Sequence, residues 1–331
     1  MTFKFNNVYV NGTGTVVGPY EKDGPLGNKF DKAYDDLYNG EKSWEKAEVT
    51  LLEESIDILL NKTKKKKEDI DVIIAGDLLN QITASCYGVQ KFKIPFLGIY
   101  SACSTSTEGI LLGATLIDTG RIKNSIVSVS SHNMASEKQF RNPTEYGAPK
   151  PKTATFTTTG GASILLSTTK SNIKVESATL GKICDMDQKD PNNMGACMAV
   201  AAADTIYTHL KDTKRDINYY DLIITGDLGI YGKEILLDYM KSEYGLDISS
   251  KYNDSGTMIY NSEVQEETLA GGSGPACSPL VNYSYTIPLL DKGTLKRVLI
   301  VATGALFSPT FVYQKEPILS ISHAVSLESV K

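Results

Sequence analysis

Residues 71–79 read DVIIAGDLL and residues 221–229 read DLIITGDLG, so the chain repeats nearly the same string after 150 residues. Each copy begins with an aspartate, runs through four mostly apolar residues and breaks at a Gly-Asp-Leu corner. Apolar runs of this kind are typical of parallel strands that are covered on both faces. An echo at about half the length of a 331-residue chain predicts a duplicated α/β architecture.

The duplication predicts two βαβ halves, residues 1–170 and 171–331, with residues 168–175 as the linker. Both halves are too short to hold separate cores, so we expect one composite unit packed on shared central helices. In the first half, the pattern predicts a helix over 43–62 that packs on strand 71–75, and a polar loop over 131–158.

Composition excludes several classes of protein. The chain has 41% hydrophobic and 22% charged residues, a net charge of −5 and a pI near 5.4, which is typical of a globular protein and argues against a nucleic-acid partner. The one basic run, Lys64–Lys67, is interpreted as a solvated helix end. The sequence has neither a long apolar segment nor a recognisable export signal, so we expect the chain to stay on the cytoplasmic side.

The cysteines predict free thiols. They are odd in number and widely spaced, with no CxxC pair, which argues against a disulfide framework and a zinc site. The five positions are Cys86, Cys103, Cys184, Cys197 and Cys277.

Cys103 is the first candidate for chemistry, because SACSTS (101–106) lies between a predicted strand end and a predicted helix start. A helix N-terminus presents unpaired N–H groups that favour a thiolate, so this cysteine is predicted to be poised as a nucleophile. The alternative is an inert, buried cysteine in a turn of small residues. Spacing alone leaves both open.

Four corners of the chain resemble the thiolase-type fold, and in particular the ketoacyl synthases. They read SACSTS (101–106), GGASILLS (160–167), AGGSGPACS (270–278) and VATGALFSP (301–309). The resemblance implies a layered α-β-α-β-α arrangement. It also implies a catalytic His and Asn, but those positions hold Asp227 and Gly272 here. A condensing enzyme needs both groups, so we expect no catalysis. An acyltransferase that uses Cys103 as nucleophile is the alternative.

Longer strings resemble the stage V sporulation protein AD family from one end of the chain to the other. They include VVGPYEKDGPLGNKFDKAYDD (16–36), SSHNMASEKQFRNPTEYG (130–147) and NMGACMAVAAADTI (193–206). Residues 274–277 read Gly-Pro-Ala-Cys, where the family implies Gly-Cys-Gly-Cys. The resemblance implies a protein that binds pyridine-2,6-dicarboxylic acid (dipicolinic acid) and supports its uptake into the developing spore. It also implies a peripheral position at the spore inner membrane, beside membrane channel subunits, with calcium accompanying the ligand and no other cofactor.

A flat dianion requires apolar walls, hydrogen-bond donors and cations. The loop 131–147 supplies such groups at a strand's carboxyl end, where α/β sheets place ligands. Arg141 is predicted to clamp a carboxylate; an ion pair with Glu137 or Glu145 is the alternative. His209 is expected at the surface. Asp77 or Asp227 either holds calcium or is a buried structural carboxylate. The predicted ligand-binding residues are Cys103, His132, Arg141, Lys138, Asn80, Asp227, Gly272 and His323.

Assembly is predicted from the strand that follows the Cys103 helix. Residues 124–130 read NSIVSVS, alternately apolar and small. Thiolase-type folds pair across this strand, so a two-fold homodimer with one continuous sheet is expected.

Overall fold

The computed structural model describes residues 1–140 and 149–331. Within these residues the strands are β1 (Thr2–Lys4), β2 (Tyr9–Val17), β3 (Lys32–Ala33), β4 (Val72–Gly76), β5 (Phe96–Gly98), β6 (Asn124–Ser131), β7 (Phe156–Thr157), β8 (Gly160–Ser167), β9 (Ile173–Thr179), β10 (Leu222–Thr225), β11 (Tyr252–Asp254), β12 (Gly272–Ser273), β13 (Arg297–Leu306) and β14 (Leu319–Ser329). The helices are α1 (Pro19–Lys22), α2 (Trp44–Thr63), α3 (Thr83–Gln90), α4 (Thr105–Asp118), α5 (Asn133–Phe140), α6 (Met194–Thr213), α7 (Gly229–Tyr244), α8 (Ser255–Ile259), α9 (Cys277–Val281), α10 (Ile287–Lys292) and α11 (Pro309–Tyr313).

The strand order shows the duplication directly. One half runs β5-β4-β6-β8-β2 and the other runs β11-β10-β13-β14-β9, so the two halves mirror each other in order. They meet at a single pairing between β2 and β9, Tyr9 with Lys174. The echoed strings 71–79 and 221–229 contain β4 and β10, each paired in parallel with both neighbours.

Helices lie in three layers around the strands. Helix α4 contacts β4, β6 and β8 of one half and β9, β13 and β14 of the other, so it lies between them. Helices α9 and α10, joined by a π-helical turn, also contact strands of both halves. Helices α2 and α3 cover the outer side of the first half, and α6 and α7 cover the second. This is the predicted α-β-α-β-α arrangement, and the predicted fold class is confirmed.

Helix α2 shows how the sequence builds an outer layer. The Ser43 hydroxyl accepts a hydrogen bond from the Lys46 N–H at 3.3 Å and caps the start of the helix. The apolar face that includes Leu51 and Leu52 is fully buried. A Cβ at Gly161 of β8 would lie 2.2 Å from the Leu51 carbonyl oxygen, so only glycine permits this approach. The helix ends at Lys64, which has φ 53°, and the basic run that follows is mostly exposed, as predicted.

Two sequence predictions about loops are wrong. The predicted polar loop 131–158 contains helix α5 and strand β7. The sequence pattern does not predict helix α5, because its buried residues are small or polar, including Asn133 and Ser136, and form no apolar stripe. The predicted linker 168–175 overlaps β9, so the connection is shorter than expected.

His209 is buried, which contradicts the surface position predicted for it. The polar string HLKD suggested exposure, but α6 packs against β1 and β9 at this point. The Nδ1 atom of His209 lies 2.7 Å from Thr179 Oγ1, and Nε2 lies 2.6 Å from the Tyr220 hydroxyl. Satisfied hydrogen bonds therefore allow the imidazole to be buried.

The predicted dimer strand is also misplaced. Strand β6 lies between β4 and β8 and has no free edge in the described sheet. The strand at that end of the sheet is β5. All five cysteines lie in the described residues and are free thiols, as predicted. Among the helices of residues 1–140 and 149–331, none is long and apolar enough to cross a membrane.

Candidate functional site

Cys103 lies in a tight turn that leads into α4. Ala102 has φ 47°, an uncommon conformation for a residue with a Cβ. The turn is held by the Thr105 hydroxyl, which accepts from the Ser101 N–H at 3.1 Å, and by the Ser104 N–H, which donates to the Ser101 carbonyl at 3.0 Å. The turn thus fixes Cys103 at the start of the central helix, as the sequence predicted.

Asp227 lies beside Cys103, at the end of β10. Its carboxyl group interacts with the Cys103 thiol. It accepts hydrogen bonds from Thr303 Oγ1 at 2.5 Å and from the Gly274 N–H at 3.2 Å. Burial raises the pKa of the Asp227 carboxyl to about 7. A residue of the second Gly-Asp-Leu corner therefore contacts the cysteine of the first half, so this site contains residues from both halves.

The surroundings of Cys103 favour the neutral thiol over the thiolate. Burial raises the pKa of the Cys103 thiol well above its usual range, and the negative charge of Asp227 raises it further. Nucleophilic cysteines instead have a lowered pKa, set by a nearby cation or a helix N-terminus. Here the effects of burial and the adjacent carboxyl outweigh the helix N-terminus, so the thiol stays protonated near neutral pH.

Cys103 forms part of the wall of a cavity of about 310 Å³. The cavity lies at the carboxyl ends of β4 and β13, where α/β sheets place ligands. Four of its lining residues are aromatic, and two of these, Phe140 and Phe307, meet edge to face with centroids 5.7 Å apart. Other residues that line it include Leu78, Tyr100, Ser136, Glu137, Lys150, Thr157, Asn192, Met194, Met198, Ser273, Gly274, Ala305 and Tyr313.

Lys150 is a cation in this wall that the sequence analysis missed. Its ammonium group forms an ion pair with the Glu137 carboxylate, and both side chains are less than one-fifth exposed. Ser136 is buried, and its hydroxyl has no hydrogen-bond partner among the described residues. Lys150 lies in the predicted polar loop 131–158. Its position in that loop is the sequence feature that could have identified it as a candidate. Only the fold brings it into the same cavity as Cys103.

Both predicted histidines are structural. The His132 Nε2–H donates to the Leu37 carbonyl at 2.7 Å, and burial lowers the pKa of its imidazole. His323 accepts from the Gly181 N–H at 3.1 Å through Nδ1, and its Nε2 lies 3.3 Å from the Ser101 hydroxyl. Burial lowers the pKa of His323 to about 4. Neither side chain lines the cavity, although His323 supports the Cys103 turn.

The remaining predicted residues divide between three places. Asn80 and Lys138 line a second, more open recess, where Lys138 forms an ion pair with Glu45 Oε1 at 2.6 Å. Gly272 does not line the cavity, although the next two residues do. Arg141 lies outside the described residues. Among the described predicted residues, Cys103 lines the cavity and Asp227 interacts with its thiol, whereas the others lie in other regions.

Asp77, the other candidate for calcium, has a structural role. It accepts from the Ser85 N–H and hydroxyl, both at 2.7 Å, and from the Leu79 N–H at 2.8 Å. These bonds fix the first GDL corner. The described residues contain no cluster of three His, Cys, Asp or Glu side chains able to hold a metal ion.

Solved structures with the same architecture define the class. The 3-oxoacyl-[acyl-carrier-protein] synthase III of Aquifex aeolicus VF5 is 12% identical, with 97% of this chain and 99% of that chain covered and a TM-score of 0.59. A structure of OleA from Xanthomonas campestris is 14% identical, with 98% and 99% covered and a TM-score of 0.62. At this level of identity the comparison shows the fold alone. Together with the cysteine turn, it shows a thiolase-like fold.

Sequence comparison places the chain within that class. A family profile described as Stage V sporulation protein AD matches residues 1–328. The Stage V sporulation protein AD of Bacillus subtilis (strain 168) is 47% identical over 321 residues, which cover 97% of this chain and 94% of the relative. The chain belongs to the stage V sporulation protein AD family, and its role is in sporulation.

Proposed function

We propose that the cavity at Cys103 binds pyridine-2,6-dicarboxylate without chemical turnover, and that the protein supports uptake of this compound into the developing spore. The observation that carries the proposal is the cavity wall, which combines aromatic rings with the ammonium group of Lys150 and a protonated thiol. The family resemblance of the sequence supports the choice of ligand.

The size and walls of the cavity suit one flat ring. A volume of about 310 Å³ is at the small end of the range for small-molecule sites, which is about 300–1,000 Å³. Phe140 and Phe307 offer apolar faces against which an aromatic ring can pack. Tyr100 and Thr157, both of which carry hydroxyl groups, line the same space.

The charges favour an anion with two carboxylates. A pKa of about 7 keeps Asp227 largely neutral below that pH, so this carboxyl group next to Cys103 adds little negative charge near the cavity there. Lys150 provides one cation, although Glu137 competes with a ligand for it. A charge-assisted bond to a ligand carboxylate contributes roughly 1.5–3 kcal/mol.

Calcium enters this proposal as part of the ligand. The chelate of Ca²⁺ with pyridine-2,6-dicarboxylate has no net charge, and calcium prefers oxygen ligands. Lys150 and Glu137 carry opposite charges, so Lys150 can meet a ligand carboxylate while Glu137 faces the cation. Calcium should therefore strengthen binding in the wild type and strengthen it less in a Glu137→Gln variant.

Titration calorimetry with pyridine-2,6-dicarboxylate, with and without calcium, tests the site. We expect Arg141→Ala and the double variant Lys150→Met/Glu137→Gln each to weaken binding by about ten- to a hundredfold, because each loses a charge-assisted bond. Arg141→Lys should recover part of the loss, since a point charge cannot reproduce the bidentate fork. Glu137→Gln alone should tighten binding of the calcium-free ligand, because Lys150 is released.

Lys152→Met is the matched control, since Lys152 is exposed and does not line the cavity. Its affinity should equal that of the wild type, and benzoate should bind much more weakly than the dicarboxylate. Equal affinities in every variant would move the site elsewhere. Absence of wild-type binding would refute the proposed function.

The chemistry of the same site argues against a ketoacyl condensation reaction at Cys103. A thiol with a raised pKa beside a carboxyl group lacks both a base and an electrophilic partner for a thioester. Intact mass spectrometry after incubation with acetyl- and malonyl-coenzyme A should show no adduct on Cys103. Turnover of these thioesters above a Cys103→Ala control would instead support the acyltransferase alternative.

The cellular setting is part of the proposal. We infer that the protein works in the forespore as a homodimer, held peripherally at the spore inner membrane beside membrane channel subunits. The sporulation family and the proposed transport of a dianion support this setting.

A further inference from the structure

One face of the molecule carries most of the basic loops. We call it the basal face and define it by residues 64–71, 121–124, 168–172, 211–221 and 291–297. Four of these loops lead directly into the parallel strands β4, β6, β10 and β13, and the fifth connects β8 to β9. The face therefore draws on both halves of the duplicated fold.

Hydrogen bonds join these loops into one surface. The Asn124 side-chain amide donates to the Asp69 carbonyl at 2.7 Å, and the Thr168 N–H donates to the Lys123 carbonyl at 3.1 Å. On the other half, the Asn172 amide donates to Asp291 at 3.0 Å. The Lys296 N–H donates to Asp221 at 2.6 Å.

The basal face lies opposite the cavity. Its loops precede the parallel strands, whereas the cavity lies at the carboxyl ends of β4 and β13. Strand β13 has ten residues, so the two regions are separated by roughly 30 Å. A surface in contact with the basal face therefore leaves the cavity mouth open.

The charge of the basal face is opposite to that of the chain. Its five loops contain thirteen Lys and Arg residues and seven Asp and Glu residues, a net charge of +6. The remaining sequence contains 21 basic and 32 acidic residues, a net charge of −11. The molecule is thus strongly polarised.

Two carboxylates of this face, Asp71 and Asp221, are hydrogen-bonded to backbone N–H groups. Asp71 accepts from the Lys123 and Asn124 N–H groups, both at 2.8 Å, and Asp221 accepts from two backbone N–H groups at the start of β13. Arg215 and Arg297 are paired with Glu176 and Glu328. The other eleven cations form no ion pair with a described carboxylate, and all but Lys65 are exposed: Lys64, Lys65, Lys66, Lys67, Arg121, Lys123, Lys170, Lys211, Lys214, Lys292 and Lys296.

Helix dipoles explain the positions of only some of the exposed cations on the basal face. Lysines at the ends of α2 and α6 are favourable there, and Lys64 and Lys214 both occupy left-handed caps, with φ 53° and 57°. The same reason does not apply to Lys123, Lys170 and Lys296, which lie in loops before strands. A shared ligand of the whole face accounts for all of them.

We propose that the basal face binds the anionic surface of a membrane, with the cavity turned away from the bilayer. A flat surface contacts the +6 face alone, whereas a nucleic acid would also approach the acidic remainder. The most suitable ring for base stacking, Tyr219, is already held between Arg215 at 3.9 Å and Arg297 at 4.3 Å. The proposal rests on the membrane association proposed above and is independent of the ligand in the cavity.

Vesicle sedimentation tests the proposal. The wild-type protein should bind phosphatidylcholine vesicles that contain about 30% phosphatidylglycerol at about 0.1 M salt, and should be released at about 0.5 M salt. It should not bind pure phosphatidylcholine. The triple variant Lys65→Glu, Lys66→Glu, Lys67→Glu should bind about a hundredfold more weakly, because each lysine near such a surface contributes about a tenfold factor or less.

The control is Lys42→Glu, Lys46→Glu, Lys152→Glu, which changes the net charge equally with exposed residues outside the basal face. It should retain wild-type vesicle binding, and both triples should keep wild-type melting temperature and calorimetric ligand binding. The proposal is overturned if wild type fails to bind anionic vesicles, or if the control loses binding to the same extent. It is equally overturned if a DNA duplex binds as tightly as the vesicles at the same salt. Ligand binding in solution is measured separately, so its failure is distinguishable.

Discussion

Asp227 is the residue that most clearly separates this cavity from that of a condensing enzyme. The resemblance to ketoacyl synthases implies a histidine at this position, and here a carboxyl group interacts with the cysteine instead. The carboxyl is kept in place by Thr303 and Gly274 and by burial. A protonated thiol beside a carboxyl group that is largely neutral below pH 7 carries little charge, which suits binding rather than acyl transfer.

This residue makes a pH prediction. Since the pKa of Asp227 is raised to about 7 in the folded protein, folding retains a proton that the unfolded chain releases above pH 4. Its contribution to the free energy of unfolding is therefore present in full at low pH and is lost as pH rises to about 7. The free energy of unfolding of Asp227→Asn, relative to that of wild type, should therefore increase from pH 4 to pH 7, by up to about 4 kcal/mol.

Chemical denaturation at several pH values measures the effect, with the exposed Asp238→Asn as control. The difference between Asp227→Asn and wild type should grow from pH 4 to pH 7, whereas the control difference should stay constant. A constant difference for Asp227→Asn as well would mean that this carboxyl group is ionised throughout.

At the scale of elements, strand β5 is an exposed edge of the sheet. Leu97 in this strand is 45% exposed, and nearby Tyr87 is 68% exposed. The strand at the opposite end, β11, has Tyr252 and Asp254 buried. Exposed apolar edges are sites of strand pairing, so the homodimer proposed above should form through β5.

Sedimentation equilibrium at micromolar concentration tests the β5 interface. Wild type should have twice the chain mass of 36.0 kDa, and Leu97→Asp should be a monomer, because a carboxylate would be buried in the apolar contact. Val264→Asp, at another exposed apolar position, should remain dimeric. A monomeric wild type, or a dimeric Leu97→Asp, would contradict the interface.

The elements differ in how well the sequence predicts them. Strands β4 and β10 are evident because burial on both faces requires continuous apolar runs. Helix α5 is not evident, since it buries Asn133, Ala135 and Ser136 and has a polar exposed face. The burial of His209 depends on Thr179 and Tyr220, 30 and 11 residues away, and no local pattern reports such partners.

At the scale of the whole molecule, the duplication places two distinct surfaces at opposite ends of the parallel strands. Their carboxyl ends converge on the cavity, and their starting loops form the basal face. The sequence predicts the duplication and the position of Cys103, because both follow from local strings. It does not predict that Lys150 faces the same cavity, because that contact depends on the path of the chain from β6 to β8.

The central claim is that this cavity binds an aromatic dicarboxylate. A crystal structure of the protein with pyridine-2,6-dicarboxylate tests it most directly. We expect the ring beside Phe140 and Phe307, with one carboxylate about 2.7–3.2 Å from the Lys150 ammonium group and no bond to Cys103 Sγ. An empty cavity at saturating ligand, or the ligand bound elsewhere, would contradict the account.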